Sequence, residues 1–387
     1  MTYMVLDFET TIKNQIGSNK GSALCPENYV VLTSLKIEGC YPEFHMEQDI
    51  RLEGFNLVDT IIGHNIKFDL LYLLRETFFK KEIWPKIKIW DTSVAEYLIS
   101  GQRHIMPSLN DCSAKYGGTQ KDEIIKQMWD SGVQTEDIPM NLLTAYGETD
   151  VVNTELVYLK QLEILKELGL MELATSQMAA VKATTEMEFN GIEVNLKTID
   201  RIQKDCERDI KTTSTALENQ ILCVHPQLKD KNLIKLGSNP FISKVFFGGT
   251  VEDSYLVPDG TFKTGQKRGT PKFKKVSYLI PLLAQVKDSF ISTQIKTKTG
   301  GIYKVGEETL KKLYVSKALN PEMKSFISNL FLYRGLVKEL NTYILPLRNF
   351  VYPHDNCVHG NFNHTVTVTG RLSSSGPNMQ NFSNEDT

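Results

Sequence analysis

Four carboxylates and one tyrosine, carried in three short segments, are the residues best suited to chemistry. Asp7 and Glu9 lie in VLDFET, Asp69 in IIGHNIKFD, and Tyr146 with Asp150 in AYGETD. Acids gathered in one cleft cannot all stay ionised without a cation, because like charges raise each other's pKa. A divalent metal answers that charge. Paired metals on carboxylates are the machinery of phosphodiester hydrolysis.

The elements around these residues must aim them at one place. YMVLDFE reads as a strand, so Asp7 and Glu9, two apart, leave the same face. Asn65 and Asp69 are four apart on a predicted helix, as are Tyr146 and Asp150, so each pair shares a face. Each pattern is weak alone, since a DxE on a strand is most often a solvated surface pair. Their order carries the weight: acids at the end of a buried strand, GHN leading into a helix, and a Tyr/Asp pair on a late helix.

A chain of 387 residues with 41% hydrophobic and 23% charged content is expected to hold two or three ordinary globular domains. No apolar stretch approaches the roughly 18 residues of a membrane span, and no signal peptide opens the chain, so a cytoplasmic location is expected. The six cysteines form no CxxC pair and have no paired histidines nearby, so neither structural zinc nor a disulfide framework is expected. The net charge of −2 hides an asymmetry. Residues 1–150 hold 14 Lys and Arg against 22 Asp and Glu, whereas residues 201–350 hold 25 against 13. An acidic portion followed by a basic one suits a metal nuclease joined to a polyanion-holding part, although lysines that keep helices soluble explain it about as well.

Residues 1–165 alternate strands and helices and are predicted to be α/β. YVVLTSLKIEG, FHME, DTIIGHN and KIKIWDT are further strand candidates; IKFDLLYLLRETF and TAYGETDVVNTELVYLKQLEILKEL read as helices. Residues 166–345 are mainly helical, with a hairpin expected around FKTGQKRGTPKFKKV, whose six basic residues could grip phosphate or simply be solvated. Residues 346–387 read as extended, with HTVTVTGRLS alternating at period 2.

DFET, GHNIKFD and YGETD resemble the three motifs of the DEDD 3′–5′ exonucleases of proofreading type. That resemblance implies an RNase H-like fold and two Mg²⁺ ions, with Mn²⁺ as a substitute. Asp7, Glu9 and Asp150 would hold the first ion; Asp7 and Asp69 would hold the second, Asp69 through water. Tyr146 would orient the attacking water. The family's other branch has a histidine five positions before the last aspartate, where this chain has Ala145. Asp91 resembles a mostly structural position, and His64 and Asn65 are expected to be turn and cap residues.

From Glu186 onward the chain is similar to family A DNA polymerases, the DNA polymerase I-like group, particularly shorter phage enzymes. MEFNGIEVNL is similar to the start of their thumb, FGGT to a turn within it, and LYRGLVKELNTYILPL to the helix returning to the palm. HTVTVTGRLSSSGPNMQN is similar to their TGRLSS-PNLQN segment. The resemblance implies contacts to single-stranded 3′ ends and primer–template DNA. Arg371, Gln380 and Asn381 would lie on DNA backbone and minor groove, with Arg334 and Lys338 on nearby phosphates. The expected organisation is an RNase H-like exonuclease domain (1–165), a helical thumb-like region (166–345) and a short β-containing palm fragment (346–387). The chain stops where that family would next supply its palm aspartate motif and fingers. The expected function is therefore the proofreading and DNA-holding portion of a split or interrupted polymerase, in host cytoplasm if phage-encoded, completed by a second polypeptide. A free-standing exonuclease and a non-catalytic DNA-holding subunit are the alternatives.

Overall fold

The computed structural model describes residues 2–13, 15–16, 19–46, 58–75, 82–120, 123–228, 231–286 and 302–381. The fold is mixed α/β and divides into two units, residues 1–196 with 346–387, and residues 197–345. The expected cut after residue 165 is not where this division falls. The helices on either side of it belong to one unit, and residues 346–387 join them.

Strand β1 (Tyr3–Thr10) is the centre of a five-stranded sheet. Its apolar run from Tyr3 to Leu6 is buried throughout, as a strand with neighbours on both edges and helices over its faces requires. Antiparallel β2 (Val30–Ile37) and β3 (Glu43–Met46) extend the sheet on one side. On the other, β4 (Thr60–Gly63) runs parallel to β1. Helix α1 (Lys67–Arg75) then crosses to parallel β5 (Lys88–Asp91), giving the order β3-β2-β1-β4-β5. The predicted continuation of α1 through residues 76–78 lies outside the described residues.

Helices α2 (Thr92–Ile99), α3 (Leu109–Tyr116), α4 (Ile124–Asp130), α5 (Met140–Glu167) and α6 (Met171–Asn190) follow, then a two-residue strand β6 (Ile192–Glu193). Helix α5 carries Tyr146 and Asp150, and polar contacts along it fix its position. Glu155 accepts from Lys36 Nζ at 2.8 Å and from the Tyr3 hydroxyl at 3.0 Å, tying α5 to β2 and β1. Asn153 accepts the Thr119 N–H at 3.0 Å and donates to the Thr119 carbonyl at 2.8 Å. Gln161 donates to the Thr92 carbonyl at 2.8 Å and to Glu96 at 3.1 Å. At Gly147 the helix approaches β2 so closely that a Cβ would sit 2.1 Å from Ser34 Oγ and 3.2 Å from Ser34 Cβ.

The second unit begins with the long helix α7 (Leu196–Val224) and α8 (Asn239–Phe247), capped by Ser238 Oγ with Pro240 in its first turn. Gly248 and Gly249, in FGGT, take positive φ of 81° and 139° at the turn into a hairpin of β7 (Gly249–Thr261) and β8 (Pro271–Leu282). The predicted hairpin is thus present, and its strands are longer than the sequence signalled. Helices α9 (Glu307–Val315) and α10 (Pro321–Lys338) pack with α7 and α8 around Leu217, Ile221, Phe246, Leu310, Phe326 and Leu330. The Phe246 and Phe326 rings meet edge to face at 5.6 Å. A π-helical turn (Glu339–Ile344) leads into the short α11 (Leu345–Arg348). Among the described residues no helix is long and apolar enough to cross a membrane.

Past α11 the chain rejoins the first unit. Strand β9 (Cys357–Val358) pairs with β6, and β10 (Asn361–Asn363) with β11 (Ser373–Ser375). Residues 364–372, whose alternation predicts a strand, form the connection between β10 and β11 instead. Their backbone groups go to scattered partners rather than to a neighbouring strand. The Thr365 carbonyl accepts the Met106 N–H at 3.1 Å, the Thr367 carbonyl accepts the Tyr97 hydroxyl, and the Arg371 carbonyl accepts Thr367 Oγ1 at 2.7 Å. A buried ion pair anchors the segment. Lys67 Nζ on α1 donates to Glu188 at 2.6 Å, to Asn361 Oδ1 at 2.8 Å and to the Phe362 carbonyl, while Glu188 also accepts the Phe362 N–H.

Gly147→Ala sets two effects against each other. Helix propensity favours alanine by about 1 kcal/mol, whereas overpacking against β2 costs about 1–3 kcal/mol. The variant is expected to be less stable in urea unfolding, and Ser34→Ala in the same chain to recover most of the loss.

Candidate functional site

The sheet register delivers the first two acids. Asp7 pairs with Ser34 and Glu9 with Leu32 across β1 and β2, and a register shift follows between Glu9 and Thr10. The pleat sends Asp7 and Glu9 to one face, where both are half-buried. Helix α5 brings the third. One carboxylate oxygen each from Asp7, Glu9 and Asp150 lie within 4.8 Å of one another. Oδ2 of Asp7 and Oδ1 of Asp150 are withdrawn from solvent.

Asp69 comes from the second of the three segments, IIGHNIKFD, in the first turn of α1. Its Oδ1 accepts the Phe8 N–H at 2.9 Å, which fastens α1 to β1 between the two strand acids. Burial first, then the charges of Asp7 and Glu9, push the Asp69 carboxyl well above the usual carboxylate range; the Phe8 N–H pulls the other way. Four acids are therefore gathered at one end of β1. Their all-oxygen donor set is hard, matching Mg²⁺ or Mn²⁺ rather than a thiophilic metal.

Tyr146 lies one turn before Asp150 on α5, and its ring meets Trp129 edge to face at 5.6 Å. The i, i+4 spacing puts its hydroxyl-bearing side chain on the Asp150 face of the helix. Trp129 was not signalled by any motif spacing. It acts on Tyr146 through packing, which a linear pattern does not record.

Asn65 corrects one expectation. It precedes α1, with a left-handed φ of 56°, so it does not share a helical face with Asp69. Its N–H goes to Asp91 Oδ1 at 3.0 Å, and the Ile66 N–H to Asp91 Oδ2 at 3.2 Å. Asp91 also caps α2 through the Ser93 N–H at 2.9 Å. It holds two helix starts together. His64 bridges Thr92 Oγ1 and the Pro107 carbonyl at 2.8 and 2.9 Å, a turn-fixing role.

The basic and amide residues are placed as follows. Arg334, on α10, gives Nη1 to the Val305 carbonyl and Nη2 to Asn239 Oδ1, each at 2.9 Å. Lys338 is exposed at the end of α10. Arg371 and Gln380 are exposed, and the side chain of Asn381 lies outside the described residues. A cavity of about 580 Å³ is lined by Asn65, Lys67, Phe68, Asp91, Glu188 and His364 among others. None of the four clustered acids lines it, so it is a separate feature from the acid cluster.

The raised Asp69 pKa makes metal-free folding take up a proton. The stability Asp69 contributes is present at acid pH and is lost as pH rises through its folded-state value. Asp69→Asn keeps an acceptor for the Phe8 N–H and removes the charge. In metal-free protein at neutral pH it is expected to raise the melting temperature by roughly 2–4 °C. The gap should close as pH falls towards the ordinary carboxylate range, or when Mg²⁺ is added to the wild type. Thermal unfolding across pH, with and without the ion, checks this.

Comparison with known proteins matches part of the chain to one family model. Residues 280–387 match the model of DNA polymerase family A. The thermostable DNA polymerase I of Thermus thermophilus is 48% identical over 60 residues, 16% of this chain and 7% of that protein. DNA polymerase I of Aquifex aeolicus is 27% identical over 233 residues, 54% of this chain and 35% of that protein. The Mycobacterium bovis DNA polymerase I is 26% identical over 298 residues, 75% of this chain and 26% of that protein. The matches therefore cover at most 35% of the length of these relatives. In fold, the chain is similar to the POL domain of Pol1 from M. smegmatis, solved in complex with DNA primer-template and dNTP. The TM-score is 0.59 at 16% identity, covering 98% of this chain and 52% of that one. Residues 280–387 thus resemble DNA polymerase family A in sequence, in a chain whose fold is similar over nearly its whole length to that of the POL domain of Pol1.

Proposed function

We propose that the chain is a 3′–5′ exonuclease of DNA, built on an RNase H-like domain and joined to the DNA-holding part of a family A polymerase. The observation that carries this reading is the gathering of Asp7, Glu9 and Asp150, with ligand atoms within 4.8 Å, beside the buried Asp69. A mixed sheet in the order β3-β2-β1-β4-β5, with the acids at the end of its central strand, supports it.

Asp7, Glu9 and Asp150 would hold one Mg²⁺, and Asp7 with Asp69 a second. Bound there, the ions would lower the pKa of water and stabilise charge on the phosphate and the departing oxygen. The side chains do the rest. Without cations the acids would repel a phosphodiester, so substrate binding and ion binding are coupled. Tyr146 would hydrogen-bond the attacking water and aim it at phosphorus. The water oxygen bonds to phosphorus and the bond to the 3′ oxygen breaks. A nucleoside 5′-monophosphate leaves, the shortened strand gains a 3′ hydroxyl, and a proton passes to solvent. Lys338, Arg371, Gln380 and Asn381, with the remaining N–H groups of Arg334, would hold the DNA backbone and minor groove.

Digestion of labelled single-stranded DNA tests the reading. The protein with Mg²⁺ or Mn²⁺ should shorten 3′ ends, and EDTA or Asp7→Ala should abolish this. Tyr146→Phe should lower the rate by roughly 10²-fold. DNA binding with undiminished digestion by Asp7→Ala would remove the assignment; binding with no digestion at all would favour a non-catalytic DNA-holding subunit.

Nucleotide addition needs a further pair of metal-binding carboxylates, and in this reading a second polypeptide would supply it. Among the described residues, the groups of three or more metal-ligating side chains are the one above and a mixed Asp/Cys/His set. Primer extension that requires both such a polypeptide and this chain would support that partnership. Extension by the partner alone at full rate would sink it.

A further inference from the structure

The geometry points to a second metal site, remote in chemistry from the first: a Zn²⁺ site formed by His354, Asp355, Cys357 and His359. One ligand atom each from Asp355, Cys357 and His359 already lie within 4.8 Å of one another. His354 Nε2 stands 3.4 Å from Asp355 Oδ2, the same oxygen that His359 Nε2 approaches at 3.0 Å. The expectation that no paired histidines accompany the cysteines is therefore corrected. The signal was present as HDNCVH, with a histidine on each side of Cys357.

The hydrogen bonds around His359 argue for a cation independently of the clustering. Its Nδ1 is 2.7 Å from the Glu188 carbonyl, which can only accept, so Nδ1 carries the ring proton. On a neutral ring, Nε2 then presents a lone pair, and it faces a carboxylate oxygen. Two acceptors at 3.0 Å need a positive centre, either a second ring proton or a metal. A ligating histidine whose other nitrogen is fixed by a backbone carbonyl is the usual arrangement at metal sites.

The loop is also shaped before any ion binds. Asp355 Oδ1 accepts the Cys357 N–H at 2.8 Å, which turns Oδ2 towards the rings. Asn356 takes a φ of 57°, the Tyr352 N–H donates to the Cys357 carbonyl at 2.8 Å, and the Val194 N–H donates to the Asn356 carbonyl at 2.9 Å. The buried Tyr352 ring lies edge-on to both imidazoles, at 4.8 Å from His359 and 5.9 Å from His354. One thiolate, two imidazoles and one carboxylate form a borderline-soft, four-donor set that favours Zn²⁺ over Mg²⁺. Zinc bonds of about 2.0–2.3 Å place tetrahedral donors about 3.3–3.8 Å apart, so small side-chain rotations close the site. The thiol proton leaves to solvent as Sγ binds.

Cobalt substitution in the full chain tests this. With excess Mg²⁺ present to occupy oxygen sites, one equivalent of Co²⁺ added to metal-stripped protein should give a thiolate-to-cobalt charge-transfer band and strong four-coordinate visible bands. Zn²⁺ should bleach both. Cys357→Ser, with its fold checked by circular dichroism, should lose the charge-transfer band. His354→Gln, at an exposed position, should weaken Zn²⁺ at least about tenfold, the scale on which ligand shells act. No charge-transfer band in the wild type, a band that persists in Cys357→Ser, or unchanged Zn²⁺ affinity in His354→Gln would overturn the site. None of these readouts depends on nuclease activity, so this proposal and the exonuclease reading fail separately.

Discussion

Crowded negative charge at the end of β1 is the constraint around which the first unit is organised. Two unit charges about 4 Å apart repel by about 4 kcal/mol at the effective dielectric of a protein surface. This chain sets Asp69 within the electrostatic reach of Asp7 and Glu9, with Asp150 closing the group. No cluster of this kind persists through its own attractions. It is imposed by the scaffold, and relieved by cations or protons.

The scaffold answers in rigid terms. The acids sit on the central strand, where the antiparallel ladder to β2 holds the backbone through Asp7 and Glu9, and on helices hydrogen-bonded to that strand. The Phe8 N–H holds α1 through the side chain of Asp69 itself. Glu155 couples α5 to β1 and β2, and the absent side chain at Gly147 lets the helix lie close on β2. Constellations carried on strands and helices keep geometry better than those on loops. Cost and support are therefore written into the same few contacts.

Much of this was legible in the sequence, and the exceptions have physical causes. Period-2 alternation and buried apolar runs marked all five strands of the sheet, because burial at a sheet centre and at its faces leaves a direct trace in residue type. The three motifs named the acids, since their spacing relates to one face of one element. The same alternation misled in HTVTVT, where threonine hydroxyls and distant loops take the hydrogen bonds a ladder would have used. Asn65 was placed on a helix that starts two residues later, because Asp91, distant in sequence, ends the preceding turn. Nothing local could announce Trp129 against Tyr146 or Lys67 against Glu188, which meet only through the tertiary fold. The compact units follow tertiary contacts of the same kind: residues 346–387 return to partners more than 150 positions earlier.

That return has a practical meaning for dissecting the protein. Lys67 and Glu188 are buried together, and Asn361 Oδ1 with the Phe362 carbonyl and N–H, which hydrogen-bond them, come from the far end of the chain. A fragment cut after residue 196 would strip that cover and hydrate an ion pair built to be dry. Expressing residues 346–387 alongside it, or fusing them through a linker that replaces 197–345, restores the missing wall. The first unit of this molecule is discontinuous in sequence.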